Sequence, residues 1–309
     1  SYSVTGVQTC ALPIFAVCSY GQGTLAPEQI ELLERQQTLT HTDGAPDDRF
    51  GYSIAIEDDT LVVGAAHINS WQGAVFVYGR TGPHQWTQLQ MLTADDGKGS
   101  DLFGTTLALS GNTLVVAAPG NSDKGPWTGT AYVFEKLGAT WTYKQRVDPT
   151  IRANFQTFGW AVAVDGQRIM VGARGDSTTA NKPVAGAVYI FGKSGNTWTQ
   201  SVKLVPSDAR EQDAFGLSIA LSGTNLLVGA RCVWTGPIAA PVPLDAGAVY
   251  VFGLSGSTWR QLRKLAPGDL SMGDNFGAGL TCVALGKDSI MVGAPGDDHP
   301  VLGTDAGKV

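Results

Sequence analysis

The chain has 309 residues, 43% of them hydrophobic and 16% charged, with 40 glycines and a net charge of −6. The acidic balance argues against a nucleic-acid partner, and no apolar run is long enough to cross a bilayer as a helix. Abundant glycine with few helix formers points to short strands joined by turns.

Residues 4–14, VTGVQTCALPI, share no pattern with the rest of the chain and resemble a translated sequencing adapter. The rival reading, a signal-peptide core, lacks a basic start and is interrupted by Gln8, Thr9 and Pro13. We therefore place residues 1–14 outside the fold. With Cys10 set aside, Cys18, Cys232 and Cys282 form an odd set without metal-ligand spacing. Residues 16–21 (AVCSYG) line up with 74–79 (AVFVYG), and 30–40 with the strand after the latter, so repeated sequence begins in mid-unit.

From residue 50 a unit recurs. Phe-Gly stands at Phe50, Phe103, Phe158, Phe215 and Phe276, at spacings of 53, 55, 57 and 61 residues. Such periodic self-similarity marks supersecondary units that bury a face against the next copy. Each unit reads as four strands. The first alternates Phe215, Leu217, Ile219 and Leu221 against Gly216, Ser218 and Ala220, a period of two that is strand geometry. Its second face is small, which predicts a neighbour in close approach. A tight turn such as Ser222-Gly223-Thr224-Asn225 leads to LLVGA, a variable loop leads to GAVYVF, and a last strand carries Trp86, Trp141, Trp198 or Trp259. In the fifth copy the step from Phe276 to Gly293 is 17 residues rather than 14, which predicts a bulge or longer hairpin. The sequence stops two residues into another third strand at Val309. Units of this size and strand content are expected to be all-β propeller blades: a half blade at 15–49, blades starting near 50, 103, 158 and 215, and a partial blade at 276–309, truncated at both ends.

Phe-Gly, then Gly-Ala-Pro or its variants (117–119, 293–295), then Gly-x-Val-Tyr-Val-Phe, resembles the FG-GAP repeat of integrin α subunits and bacterial surface proteins. The resemblance covers about residues 15–309 and is nearest the compact bacterial variety. It implies a seven-bladed ring, an extracellular or cell-surface location, and ligand binding on the face that carries the loops between second and third strands. The family's Asp-rich calcium loops have no counterpart in the tight connections 57–60, 110–113, 165–168 and 222–225. No cofactor is therefore expected. The acidic interblade stretches are read as turns in which the Asp before Phe-Gly fixes backbone N–H groups.

The variable loops 66–72, 119–128, 174–185, 231–246 and 295–306 supply the candidate ligand-binding residues: Trp71, Trp127, Arg174, Asp176, Trp234 and Asp297. Arg174-Gly175-Asp176 spells an adhesion tripeptide. Its repeat position, shared with Pro119-Gly120-Asn121 and Pro295-Gly296-Asp297, also fits a simple Gly turn. The four histidines are isolated and no nucleophile or phosphate motif is present. Two functions remain: a non-catalytic binding or adhesion module with a protein or glycan ligand, or the propeller of a secreted carbohydrate- or polymer-processing protein.

Overall fold

The computed structural model describes residues 37–41, 44–83, 85–178, 182–231, 246–268, 270–286 and 289–297. The adapter-like segment, the strand expected at 16–21, most of 30–40 and the terminal stretch 298–309 lie outside them.

The described residues form four antiparallel four-stranded sheets and one hairpin, each in chain order. The sheets are β1 (Phe50–Glu57), β2 (Thr60–Ala65), β3 (Ala74–Gly82), β4 (Gln85–Leu92); β5 (Leu107–Ser110), β6 (Thr113–Ala118), β7 (Thr130–Leu137), β8 (Thr140–Val147); β9 (Phe158–Val164), β10 (Arg168–Ala173), β11 (Ala187–Ser194), β12 (Thr197–Leu204); and β13 (Ser218–Ser222), β14 (Asn225–Ala230), β15 (Ala248–Ser255), β16 (Thr258–Leu265). The hairpin is β17 (Val283–Leu285) with β18 (Ile290–Val292). The additional residues of the fifth copy precede this hairpin: Cys282 stands six residues after Phe276, whereas Ser218 stands three after Phe215.

Both faces of the inner strands are covered, as their sequence requires. The large face of each packs on the preceding repeat: Phe158, Val162 and Val164 join Ala108, Val115 and Val133 in one core, and Phe103, Leu107 and Leu109 join Ala55, Val62 and Val75 in another. The small face meets the next repeat closely enough to hydrogen-bond it. Ser53 Oγ donates to Gly104 O at 2.6 Å, Thr106 Oγ1 to Gly159 O at 3.0 Å, and Ser218 Oγ to Gly277 O at 2.7 Å. The inner strands of all five repeats thus line a cavity of about 80 Å³, at residues such as Ile54, Leu107, Val162, Ile219 and Val283. This is blade geometry about a shared axis.

The Phe-Gly pair couples consecutive blades. Phe103, Phe158 and Phe215 are fully buried, each edge-on to its own third-strand aromatics, as Phe215 is to Tyr250 at 5.5 Å and Phe252 at 5.9 Å. Phe50 and Phe276 are half-buried. The backbone of each later Phe forms a parallel bridge with the glycine that opens the preceding third strand, Gly73, Gly129, Gly186 or Gly247. The strict alternation expected through Phe-Gly does not hold. Gly216 has φ +97°, and the N–H groups of Gly216 and Leu217 both donate to Gly229 O, a bulge that turns Phe215 out of the strand's alternation.

At the rim, a glutamine four residues after the outer-strand Trp clamps the next repeat. Gln90 accepts from Trp141 N–H at 2.9 Å and donates to Trp141 O at 2.8 Å, and Gln145 does the same to Trp198. Gln37 clamps Trp86 in this way, in keeping with the expected register of 30–40.

Candidate functional site

The loops leaving the second strands and those joining the blades meet on one face, and a repeated backbone device holds them together. The residue before each Phe has positive φ (Arg49, Leu102, Thr157, Ala214, Asn275), as does the residue two places earlier (Asp47, Ser100, Phe155, Gln212, Gly273). Between them sits a carboxylate or amide that caps the loop. Asp48, Asp101, Gln156, Asp213 and Asp274 each accept the N–H three residues back, at 2.6 to 3.2 Å. The interblade aspartates therefore act as turn-makers, as read from the sequence.

The same device positions the loop aromatics. The N–H groups of Leu102, Thr157 and Ala214 donate to the carbonyls of Trp71, Trp127 and Val184, equivalent positions in three repeats. All three lie in left-handed backbone, φ +69°, +50° and +55°, a conformation that costs a non-glycine residue energy. All three expose their side chains, by 51%, 37% and 40%. Trp71 stacks on His67 at 4.8 Å, and His67 continues to Tyr52 at 6.4 Å. Burial, with Arg49 nearby, holds the His67 imidazole below its ordinary pKa.

Phe155, which the sequence did not single out, is 62% exposed beside Trp127, its N–H bonded to Pro126 O at 2.7 Å. Its signal was positional: an aromatic at a loop site that other repeats fill with Asp47, Ser100, Gln212 or Gly273.

The adhesion tripeptide is taken apart by the fold. Asp176 is fully buried. One oxygen accepts from Gln156 and Tyr189, the other from Thr178 and from Lys203 Nζ at 2.8 Å. Burial works to raise this carboxyl, but Lys203, Tyr189 and Gln156 together hold it below its ordinary value. Both Asp176 oxygens are thus engaged, and its role here is to tie the loop after β10 to the interblade loop at Gln156 and to β11 and β12. Asn121 occupies the same place in the second repeat, bonded to Asp101 and to Arg146, which also spans Asp96, Asp123 and Asp148. Asp297 makes the corresponding turn, its N–H donating to Ala294 O as that of Asp176 does to Ala173 O. Trp234 lies outside the described residues.

The fourth repeat breaks the pattern. Asp213 is buried, its Oδ1 has no partner among the described residues, and its pKa is raised to about 6 by burial. Tyr250 is buried within reach of its charge. Asp208 lies near enough to help push the phenol pKa upward, yet Tyr250 Oη meets no partner in hydrogen-bond geometry among the described residues.

Arg174 has left its tripeptide partner. Its guanidinium lies 3.6 Å above the ring centre of Trp160, the inner-strand residue just before the cavity-lining stretch. Among the described residues, no group of three or more His, Cys, Asp or Glu could hold a metal ion, and no helix is long and apolar enough to cross a membrane.

A family model described as FG-GAP repeat matches residues 33–78, 86–134, 141–191, 198–252 and 259–309. No curated protein matches the chain.

Proposed function

Because the chain belongs to the FG-GAP repeat family, we propose that it is a non-catalytic, extracytoplasmic binding or adhesion module whose ligand, a protein or glycan, docks on the face where second-to-third-strand and interblade loops meet. The supporting observation is the exposure of Trp71 and Trp127 at one repeat position, each pinned in left-handed backbone by a bond from the next repeat. A large aromatic that is held rigid loses little entropy on binding and offers much area, which is why such residues dominate contact surfaces. Backbone strain retained at an exposed site also fits function better than stability. The module works without a bound cofactor.

The test is a screen of the labelled chain on protein and glycan arrays, repeated with a Trp71→Ala/Trp127→Ala double variant. At least a tenfold loss of binding, with the melting curve close to wild type, is expected. Binding that survives both substitutions unchanged would place the ligand elsewhere.

A further inference from the structure

Several cations of the loop face are held in ion pairs. Arg146 is shared by Asp96, Asp123 and Asp148; Arg152 pairs with Asp148, Lys203 with Asp176, and Lys264 with Asp208. Half-buried Arg174 is different. It enters none of the ion pairs among the described residues, and its Nε is buried with no hydrogen-bond partner. Trp160, beneath it, has a buried and equally unpartnered Nε1. Burial and the neighbouring charge of Arg231 both work against the guanidinium's own charge. A desolvated cation without a counter-ion is costly to keep, and an arriving anion would relieve that cost. Stacking on Trp160 fixes the plane of the guanidinium, so its remaining N–H groups form a preset fork of the kind that takes a carboxylate through two parallel bonds.

The backbone that carries Arg174 is bonded to the backbone that carries the aromatic surface. Thr157 joins the two, its N–H bonded to Trp127 O at 2.9 Å and its Oγ1 accepting from Gly175 N–H at 3.3 Å. Trp127 and Phe155 stand exposed beside it. The chain as a whole carries a net charge of −6, which repels a densely charged polyanion. What fits is a single carboxylate on an otherwise neutral, flat-faced body that can lie on an indole.

We propose that Arg174, held on Trp160, is the carboxylate-recognising residue of a site for an acidic sugar, with the pyranose ring resting on Trp127 and Phe155. This inference rests on the binding reading given above and names the ligand class for that face.

The test uses the full chain with two probes, a galactose trimer in which one unit is replaced by galacturonic acid and the neutral galactose trimer. Binding is followed by tryptophan fluorescence and calorimetry at low salt. The acidic trimer should bind at least tenfold more tightly than the neutral one. Arg174→Gln should bring the two together, and Arg174→Lys, which keeps charge but loses the fork, should fall between. Equal affinity of wild type for both trimers, or an Arg174→Gln variant that still prefers the acid, overturns the assignment. So does a glutamate tripeptide that binds as tightly as the sugar acid. Should Arg174→Gln melt early, the wild-type ratio and the lysine variant still decide. Discrimination lost while Trp71 and Trp127 still govern array binding would overturn this inference and leave the wider reading standing.

Discussion

Asp213 offers the sharpest test of how the repeats are wired. In the third repeat the equivalent residue is Gln156, whose amide donates to Asp176 and Tyr189. In the fourth, the carboxyl has only Arg210 N–H on Oδ2, while Oδ1 stands without a partner among the described residues. Its folded pKa of about 6 lies above the ordinary 3.8, so between those values the fold holds a proton that the unfolded chain has released. The contribution of Asp213 to stability is therefore highest below pH 3.8, falls as pH rises through this window, and is at its worst above pH 6. At about 1.4 kcal/mol per tenfold change, the interval amounts to about 3 kcal/mol. Asp213→Asn keeps the acceptor for Arg210 and removes the charge. Urea and thermal melts of both chains from pH 4 to 8 should show the variant gaining on wild type by up to about 3 kcal/mol as pH rises, a few degrees or more in Tm for a domain of this size. A difference that does not change with pH would refute the burial argument. A variant less stable at pH 7.5 would mean that the carboxylate has an ionic partner there.

Gly186→Ala should cost well over about 1 kcal/mol, because φ is +80° and a Cβ would stand 2.2 Å from Phe215 O. Gly51→Ala, at φ +89° with nothing within 4 Å, should cost less, and equal losses in urea titrations would argue against the interblade contact. Phe215→Ala should lose about 3–5 kcal/mol and half-buried Phe50→Ala distinctly less, measured the same way; equal losses would put Phe50 in an equally complete core. Calcium at millimolar levels, or a chelator, should leave the melting temperature unchanged, since two-residue turns such as that between Ser222 and Asn225 offer too few oxygens for the ion. A rise of several degrees would point to a native-state site.

Much of the fold was legible because each strand is short, repeated and patterned with period two. Ile219 and Leu221 against Ala220 were enough to predict an inner strand covered on both faces, and the spacing of Phe-Gly gave the blades. What the pattern could not show was backbone that leaves it. The positive φ of Gly216 turns Phe215 away from the alternation of the residues after it. The left-handed pairs around Asp101 and Gln156 fall on ordinary residues such as Leu102 and Thr157, whose side chains give no local reason for them. The candidate site was partly visible for a related reason. Trp71 and Trp127 were found because their loops vary, whereas Trp160 was hidden inside a strand-like run and Asp176 looked available only because its partners are Gln156, Tyr189 and Lys203, distant in sequence. Arg174 was picked for a tripeptide that the fold dissolves; its stacking on Trp160 could not be seen from either residue alone.

The bonds that bracket each variable loop have a consequence for how such chains can change. In the second repeat the loop is fastened where it leaves, Gly120 N–H to Asp101 O at 3.1 Å, and where it returns, Gly129 N–H to Asn121 O at 2.9 Å with Phe158 N–H to Thr128 O at 3.0 Å. Between these fastenings the segment touches its surroundings through Asp123, paired with Arg146, and Pro126 O, which accepts Phe155 N–H. Doubling its length adds only about 0.6 kcal/mol of closure entropy. Foreign sequence inserted after Lys124, which leaves both contacts in place, should therefore be carried as cargo on the blade, so that new specificities can be tried in one repeat while the others keep the molecule folded.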